Sequence, residues 1–300
     1  MHALLDHLER AGFTGSPHAV SADGEDVVTY IPGESVSPHA WSDEGVFQVG
    51  RLLRGLHDAT ASFMPPPGAT WHPWPFASDA PDAIISHRDT GPWNIVARDR
   101  LPVAFIDWVT AGPADPLEEI AATAWLNAQL HDDDIAERQG LPSTQARAAQ
   151  LHHFADGYRL AAAGRRGLVA AMIDYAIRDS AAEAIQAGVT PQTGDCDALW
   201  AITWRARSAA WMVRLRRSGA HSGLFGPGRR SRIPEHYGRP LTALQGGRAA
   251  GWVTVGWQLC RVGRALVVPG WLCTAQPAST ASPHSGQRNG LRLALDRKKA

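Results

Sequence analysis

The stretch His87-Arg88-Asp89-Thr90-Gly91-Pro92-Trp93-Asn94-Ile95-Val96, with Val103-Ala104-Phe105-Ile106-Asp107-Trp108 close behind it, decides how this chain is read. An acid stands five residues before an amide, and a second acid closes an apolar run thirteen residues after that amide. Ile95-Val96 and Val103–Ile106 have the β-branched and aromatic content of short strands, and Arg98-Asp99-Arg100 between them is a polar turn. The pattern predicts a hairpin. Its two ends lie side by side, so Asn94, just before one strand, and Asp107, just after the other, can reach one ion. Amide and carboxylate oxygens are the donors that Mg²⁺ prefers. Asp89 is a carboxylate on a short loop, suited to accept or orient a proton.

Working outward, His2–Ala11 has Leu4, Leu5 and Leu8 on one helical face, with Gly12 as a stop. Val27-Val28-Thr29-Tyr30 reads as a strand ended by Ile31-Pro32-Gly33. A second helix starts at Ser42, an N-cap with Asp43 and Glu44 in the first turn, and repeats Val49, Leu52, Leu53 and Leu56 at helical spacing. His57 on this helix reads first as a packed or capping histidine. Residues 64–80 form a Pro- and Trp-rich connector, and Ile84-Ile85 leads into the central motif. After it, Asp115-Pro116-Leu117-Glu118 has the N-cap, N1 and N3 residues of a capping box. Helices are then expected over His152–Ala163, Leu168–Ala187 and Asp197–Arg214. Trp200, Trp204 and Trp211 form a stripe that reads as helix core. The run Asp132-Asp133-Asp134 reads as an exposed loop.

The central segment resembles the catalytic loop of the aminoglycoside phosphotransferase and choline kinase superfamily. There His-x-Asp-x-x-x-x-Asn precedes an apolar strand ending Ile-Asp-Trp or Ile-Asp-Phe. The matching residues are His87, Asp89, Asn94 and Ile106-Asp107-Trp108. Arg51-Leu52-Leu53-Arg54-Gly55-Leu56-His57 resembles the family's helix before that loop, and Ala111–Pro116 resembles the family's segment after it. The likeness thus runs over residues 2–214. It implies an α+β, protein kinase-like fold with a reduced N-terminal lobe and a mostly helical C-terminal lobe. It also implies ATP and Mg²⁺ as cofactors and transfer of the γ-phosphate to a hydroxyl of a small molecule. Asp89 would be the catalytic base, and Asn94 and Asp107 the metal ligands. Tyr30 and Ile31 would form the hinge whose backbone meets the adenine. His87 would buttress the loop. Arg88 stands where the family usually has Gly and receives no role.

The chain departs from the family in front. A kinase small lobe carries a five-stranded sheet, a phosphate-covering loop and a lysine paired with a helix glutamate. Only 26 residues precede Val27, too few for five strands, and the only lysines are Lys298 and Lys299. On this layout residues 1–36 are a remnant of the small lobe and hinge, 37–218 the large lobe, and 219–300 a separate tail. The implied protein is an N-terminally incomplete family member with weak or no activity as written. A non-catalytic, pseudokinase-like remnant or binding protein is the alternative.

Charge divides the chain the same way. The formal net charge is zero, but residues 1–218 carry 17 Lys+Arg against 27 Asp+Glu, and residues 219–300 carry 12 against 2. The acids of the helical region, Asp132, Asp133, Asp134, Glu137, Asp174, Asp179, Glu183, Asp195 and Asp197, suit a cationic acceptor or form a solvated surface. The tail holds 13 glycines without a helical or strand period. It reads either as a disordered basic tail or as the product of a reading-frame shift. Its dispersed arginines give little support for nucleic-acid binding. Three cysteines without metal-ligand spacing, and a start without a secretory signal, point to a reducing, cytoplasmic setting. Gly251–Cys273 is interrupted by Arg261 and Arg264, so no membrane span is expected.

Overall fold

The structure is a computed structural model in which residues 1–20, 27–37 and 39–218 are described. The 219–300 tail, with every expectation made for it, lies outside the described residues. In chain order the elements are α1 (His2–Arg10), β1 (Glu34–Ser35), α2 (Asp43–Thr60), β2 (Ile84–Ser86), β3 (Ile95–Arg98), β4 (Leu101–Phe105) and β5 (Gly112–Ala114). The helices α3 (Pro116–Asn127), α4 (Asp133–Gln139), α5 (Thr144–Gly157), α6 (Ala162–Gln186) and α7 (Cys196–Ser218) complete the order. The architecture is α+β and mostly helical. No helix of the described residues is long and apolar enough to cross a membrane.

The expected hairpin is β3–β4. It pairs antiparallel with Ile95 opposite Phe105 and Arg98 opposite Leu101. Its two-residue turn, Asp99-Arg100, has positive φ at both positions (50° and 60°), the twist that two-residue hairpins favour. β1 adds antiparallel to β3, giving a three-stranded sheet in the order β1-β3-β4. A second ladder, β2 with β5, sets Ser86 opposite Gly112. The loops leaving the hairpin's ends are therefore tied together behind it.

Helix starts obey the local signals. Ser42 accepts from the Gly45 N–H at the start of α2, and Asp115 accepts from Leu117 and Glu118 N–H at the start of α3, with Pro116 in the first turn. α2 buries Val46, Val49, Leu53 and Leu56 and packs on α5 through two glycines. A Cβ on Gly50 would stand 2.3 Å from the Phe154 carbonyl oxygen, and one on Gly157 would stand 2.0 Å from that of Phe47. α3 is apolar around most of its circumference and is a core helix. Its Trp125 is fully buried and stacks on Trp204 of α7 at 5.3 Å. The tryptophan stripe is core in part: Trp211 is buried, with the Arg147 guanidinium 5.0 Å from its ring centre, Trp204 packs half-buried against the core, and Trp200 is half-buried.

Three expectations are corrected. Val27–Tyr30 is not a strand; only the single bridge Ala19–Val28 forms there. Val27, Val28 and Tyr30 remain exposed, so β-branched content finds no sheet face to pack on. The strand of this region is Glu34–Ser35, whose residues carry no strand signature and are recruited by the edge of β3. The predicted helix His152–Ala163 is split between α5 and α6, because Arg159 takes a left-handed φ of 60°. The Asp132–Asp134 run is the cap and first turn of α4 rather than a loop, although Asp133 and Asp134 are exposed as expected. Asp132 is buried, caps α4 through the Ile135 N–H at 3.0 Å and pairs with Arg207.

Candidate active site

The site forms where the loops after β2 and β4 meet. His87 is fully buried, with its ring against Phe105 and Trp108. Its Nε2 bonds the Ile106 carbonyl at 2.8 Å, and its Nδ1 accepts the Asp89 N–H at 3.3 Å. Burial holds its pKa below the usual histidine range, against the pull of Asp89 and Glu119. The neutral ring therefore serves as a fixed strut between the two loops.

Asp89 is half-buried, and desolvation raises its carboxyl above the ordinary range. His87, Asn94 and Trp93 oppose the shift, and Asp107 adds to it. Asn94 is buried at the end of a single 3₁₀ turn, Pro92–Asn94. Its amide N–H groups face Asp89, at 2.8 Å from Oδ2 and 3.0 Å from the carbonyl oxygen. That use of the nitrogen leaves Oδ1 as the amide atom able to meet a cation. The Asn94 carbonyl accepts the Ile106 N–H at 2.9 Å, which sets Asp107 beside it. Asp107 is exposed and left-handed (φ 61°, ψ 67°), a conformation that aspartate tolerates better than most residues. Asp89, Asn94 and Asp107 thus converge. Among the described residues no cluster of three or more His, Cys, Asp or Glu side chains could hold a metal. An amide oxygen and one exposed carboxylate fit an ion such as Mg²⁺, which keeps waters and binds substrate phosphates.

Tyr30 and Ile31 do not flank Asp89. They line a cavity of about 600 Å³ on the hairpin, together with Glu34, Trp93, Val96 and Asp107. Among the described residues no lysine or arginine lines it.

Sequence reasoning missed what fixes the Asp89 loop. Glu119, Thr123 and Asn127 occur at intervals of four on the otherwise apolar α3, and all three bond the segment 88–90. Glu119 Oε1 accepts the Arg88 N–H at 2.9 Å, Thr123 Oγ1 pairs with Thr90 Oγ1, and Asn127 Nδ2 donates to the Thr90 carbonyl at 2.9 Å. Glu119 Oε2 lies 3.2 Å from His57 Nε2, and His57 Nδ1 lies 2.8 Å from the Tyr158 hydroxyl. His57 is the packed histidine expected, and it also anchors Glu119. A polar stripe at helical spacing in an apolar helix is a signal that could have revealed this face.

Arg88 is also structural in part. It is buried, with φ of 69°, a region where glycine is at ease and other residues are strained. Nη2 donates to the Ala111 carbonyl at 3.0 Å. Its side chain crosses Gly112 so closely that a Cβ there would lie 1.5 Å from Nη2. Burial lowers its pKa to about 10, opposed by Glu119.

The acidic wall expected of the helical region is largely neutralised. Asp132 and Asp134 pair with Arg207, Asp133 with Arg147, Asp174 with Arg178, and Asp179 and Glu183 with Arg205. It gives no basis for preferring a cationic acceptor.

Two loops meet here around one amide and two carboxylates, and the chain belongs to the phosphotransferase enzyme family. Residues 68–168 match that family. The chain is also 47% identical over 222 residues to a trifolitoxin immunity protein from Rhizobium leguminosarum bv. trifolii, covering 72% of this chain and 85% of the relative. Among solved structures it is similar to a macrolide 2′-phosphotransferase from Brachybacterium faecium, at 17% identity and a TM-score of 0.42. That match covers 69% of this chain and 78% of the other.

Proposed function

We propose that the protein transfers the γ-phosphate of ATP to a hydroxyl of a small molecule, with Asp89 as the base and Asn94 and Asp107 as the Mg²⁺ ligands. The observation that carries this is the pair of hydrogen bonds from the Asn94 amide nitrogen to Asp89, which leave the amide oxygen unused by that contact. Mg²⁺, when bound, neutralises phosphate oxygens. The residues supply the rest. Asn94 and the His87 strut hold the Asp89 carboxylate in one place, and burial raises its affinity for the acceptor's hydroxyl proton. Tyr30 and Ile31 line the cavity that would take the nucleotide base.

Likeness to the trifolitoxin immunity protein supports a protective role, in which a toxic compound is the acceptor. Among the described residues the cavity has no cationic side chain to hold phosphates directly. That favours a second reading, in which the same site binds such a compound without turning ATP over. Transfer of labelled γ-phosphate to a panel of hydroxyl compounds, with Asp89→Asn alongside, separates the two. Phosphotransfer predicts a labelled product and a loss of about 10²-fold or more in Asp89→Asn. Binding of an acceptor with no labelled product supports the second reading.

A further inference from the structure

His57, Tyr158 and Glu119 are buried polar side chains that the proposed chemistry leaves unused. They form one line of hydrogen bonds that joins the end of α5 to α2 and α3. The Tyr158 hydroxyl lies 2.8 Å from His57 Nδ1, and His57 Nε2 lies 3.2 Å from Glu119 Oε2. Glu119 Oε1 then accepts the Arg88 N–H at 2.9 Å, so the line ends one residue before Asp89.

The direction of the protons follows from the end groups. A carboxylate only accepts, so His57 Nε2 carries the proton that meets Glu119. In the neutral ring Nδ1 is then an acceptor, and the Tyr158 hydroxyl donates to it. Burial pushes the Tyr158 phenol up to about 12, so its proton stays in place. Ser86 Oγ, 3.4 Å from Nε2, is too far to be more than a weak partner, and Glu119 remains the main one. Tyr158 thus selects the neutral tautomer that can hold Glu119.

The far end of the line is where holding is needed. Arg88 has a left-handed φ of 69°, and strain of this kind persists only where the surroundings over-determine it. Its N–H is held by Glu119 and its Nη2 by the Ala111 carbonyl. Release of the N–H lets the backbone relax, and Asp89, the next residue, moves with it. A displacement of about 1 Å can cost on the order of 10²-fold in rate.

We propose that His57 is a positioning residue for Asp89: its Nε2–H, oriented by Tyr158, fixes Glu119 as the clasp on the strained Arg88 backbone. Its effect on rate rests on the phosphotransfer reading above; the clasp itself does not. His57→Phe fills the volume without a donor, His57→Gln returns an N–H, and Tyr158→Phe removes the orienting hydroxyl. Hydrogen exchange at the Arg88 amide, read by NMR with isotope-labelled arginine, should quicken at least about tenfold in His57→Phe. Tyr158→Phe should quicken it less, and His57→Gln should stay near wild type. Arg54, on the same helix as His57, is the internal control. Acceleration at Arg88 no greater than at Arg54 is the result for simple loss of stability, and it overturns the proposal.

Phosphate release from Mg-ATP, with water as the acceptor, reads the rate. His57→Phe should lower kcat at least about tenfold and keep KM for ATP within about twofold, with most of the loss recovered in His57→Gln. In a Glu119→Gln background His57→Phe should cost less than about threefold, because the line is already broken. Packing alone would leave kcat per folded molecule unchanged, and that outcome defeats the positioning role while phosphotransfer stands. Wild-type protein that releases no phosphate and binds no Mg-ATP defeats the phosphotransfer reading instead. Exchange at Arg88 then still decides whether His57 holds the loop.

Discussion

The Asn94 side-chain amide donates to Asp89 Oδ2 at 2.8 Å and to the Asp89 carbonyl at 3.0 Å. One side chain thereby fixes the loop that carries the proposed base and keeps its own oxygen for the proposed metal. Replacing Asn94 by Ala removes both effects. A bivalent loss is expected: Mg-ATP affinity and turnover should both fall, whereas Asp89→Asn should lower turnover and largely keep Mg-ATP affinity. Titration calorimetry with a parallel transfer assay on the two variants checks this separation.

Glu119 holds the Asp89 loop through the Arg88 N–H and is itself held by His57. Glu119→Ala leaves a buried N–H and a buried imidazole without their acceptor. Its cost is expected to be about 3 kcal/mol, at the upper end for breaking a buried charged hydrogen bond. Urea unfolding measures it. Thr123→Ala, on the same stripe, should cost about 1 kcal/mol.

The α2–α5 crossing depends on two missing side chains. A Cβ at Gly157 would stand 2.0 Å from the Phe47 carbonyl oxygen, backbone that cannot rotate away. Gly157→Ala should therefore force the helices apart and cost about 2 kcal/mol or more, although alanine is the better helix former. Gly194, where an added Cβ meets nothing, serves as the control position. Thermal unfolding of the two alanine variants gives the comparison.

His131 is buried beside Arg147, and burial, with that arginine, lowers its pKa to about 3. In the unfolded chain it titrates near the ordinary value of about 6.5. Between these values the unfolded state holds the extra proton, so stability is full above about pH 6.5 and falls as pH drops toward 3. The buried His87 acts in the same direction. The loss from His131 alone should be about 2 kcal/mol between pH 7 and pH 5. His131→Gln should make the stability profile shallower over this window, as read by urea unfolding at a series of pH values.

The central segment was legible because its information is local. Asp89, Asn94 and Asp107 are brought together by one hairpin, and hairpins are specified by neighbouring residues. Ser42 and Asp115 were legible for the same reason, since capping is a contact within four residues. The failures are non-local. Val28 has strand character but no sheet to join, whereas Glu34–Ser35 becomes a strand because β3 offers an edge. The acids from Asp132 to Glu183 read as a charged wall or a solvated surface, because most of their arginine partners lie outside the local pattern, as Arg207 does for Asp132 and Arg205 for Asp179, although Arg178 stands one turn from Asp174. Arg88 was unreadable for a similar reason. Its burial depends on Gly112, which leaves room for the guanidinium to cross.

Asn94 and Asp107 are proposed to hold a divalent ion on which ATP binding depends, and every other role in the site is built on that ion. Among the described residues no lysine or arginine lines the cavity, so no side-chain cation there can replace the metal. The most direct test is ATP binding to the wild-type protein and to Asp107→Ala, each with Mg²⁺ and with EDTA. Wild-type protein is predicted to bind ATP only with Mg²⁺, and Asp107→Ala to lose at least about tenfold in affinity, the loss of one charge-assisted contact. ATP binding that survives EDTA, or that is unchanged in Asp107→Ala, would contradict it.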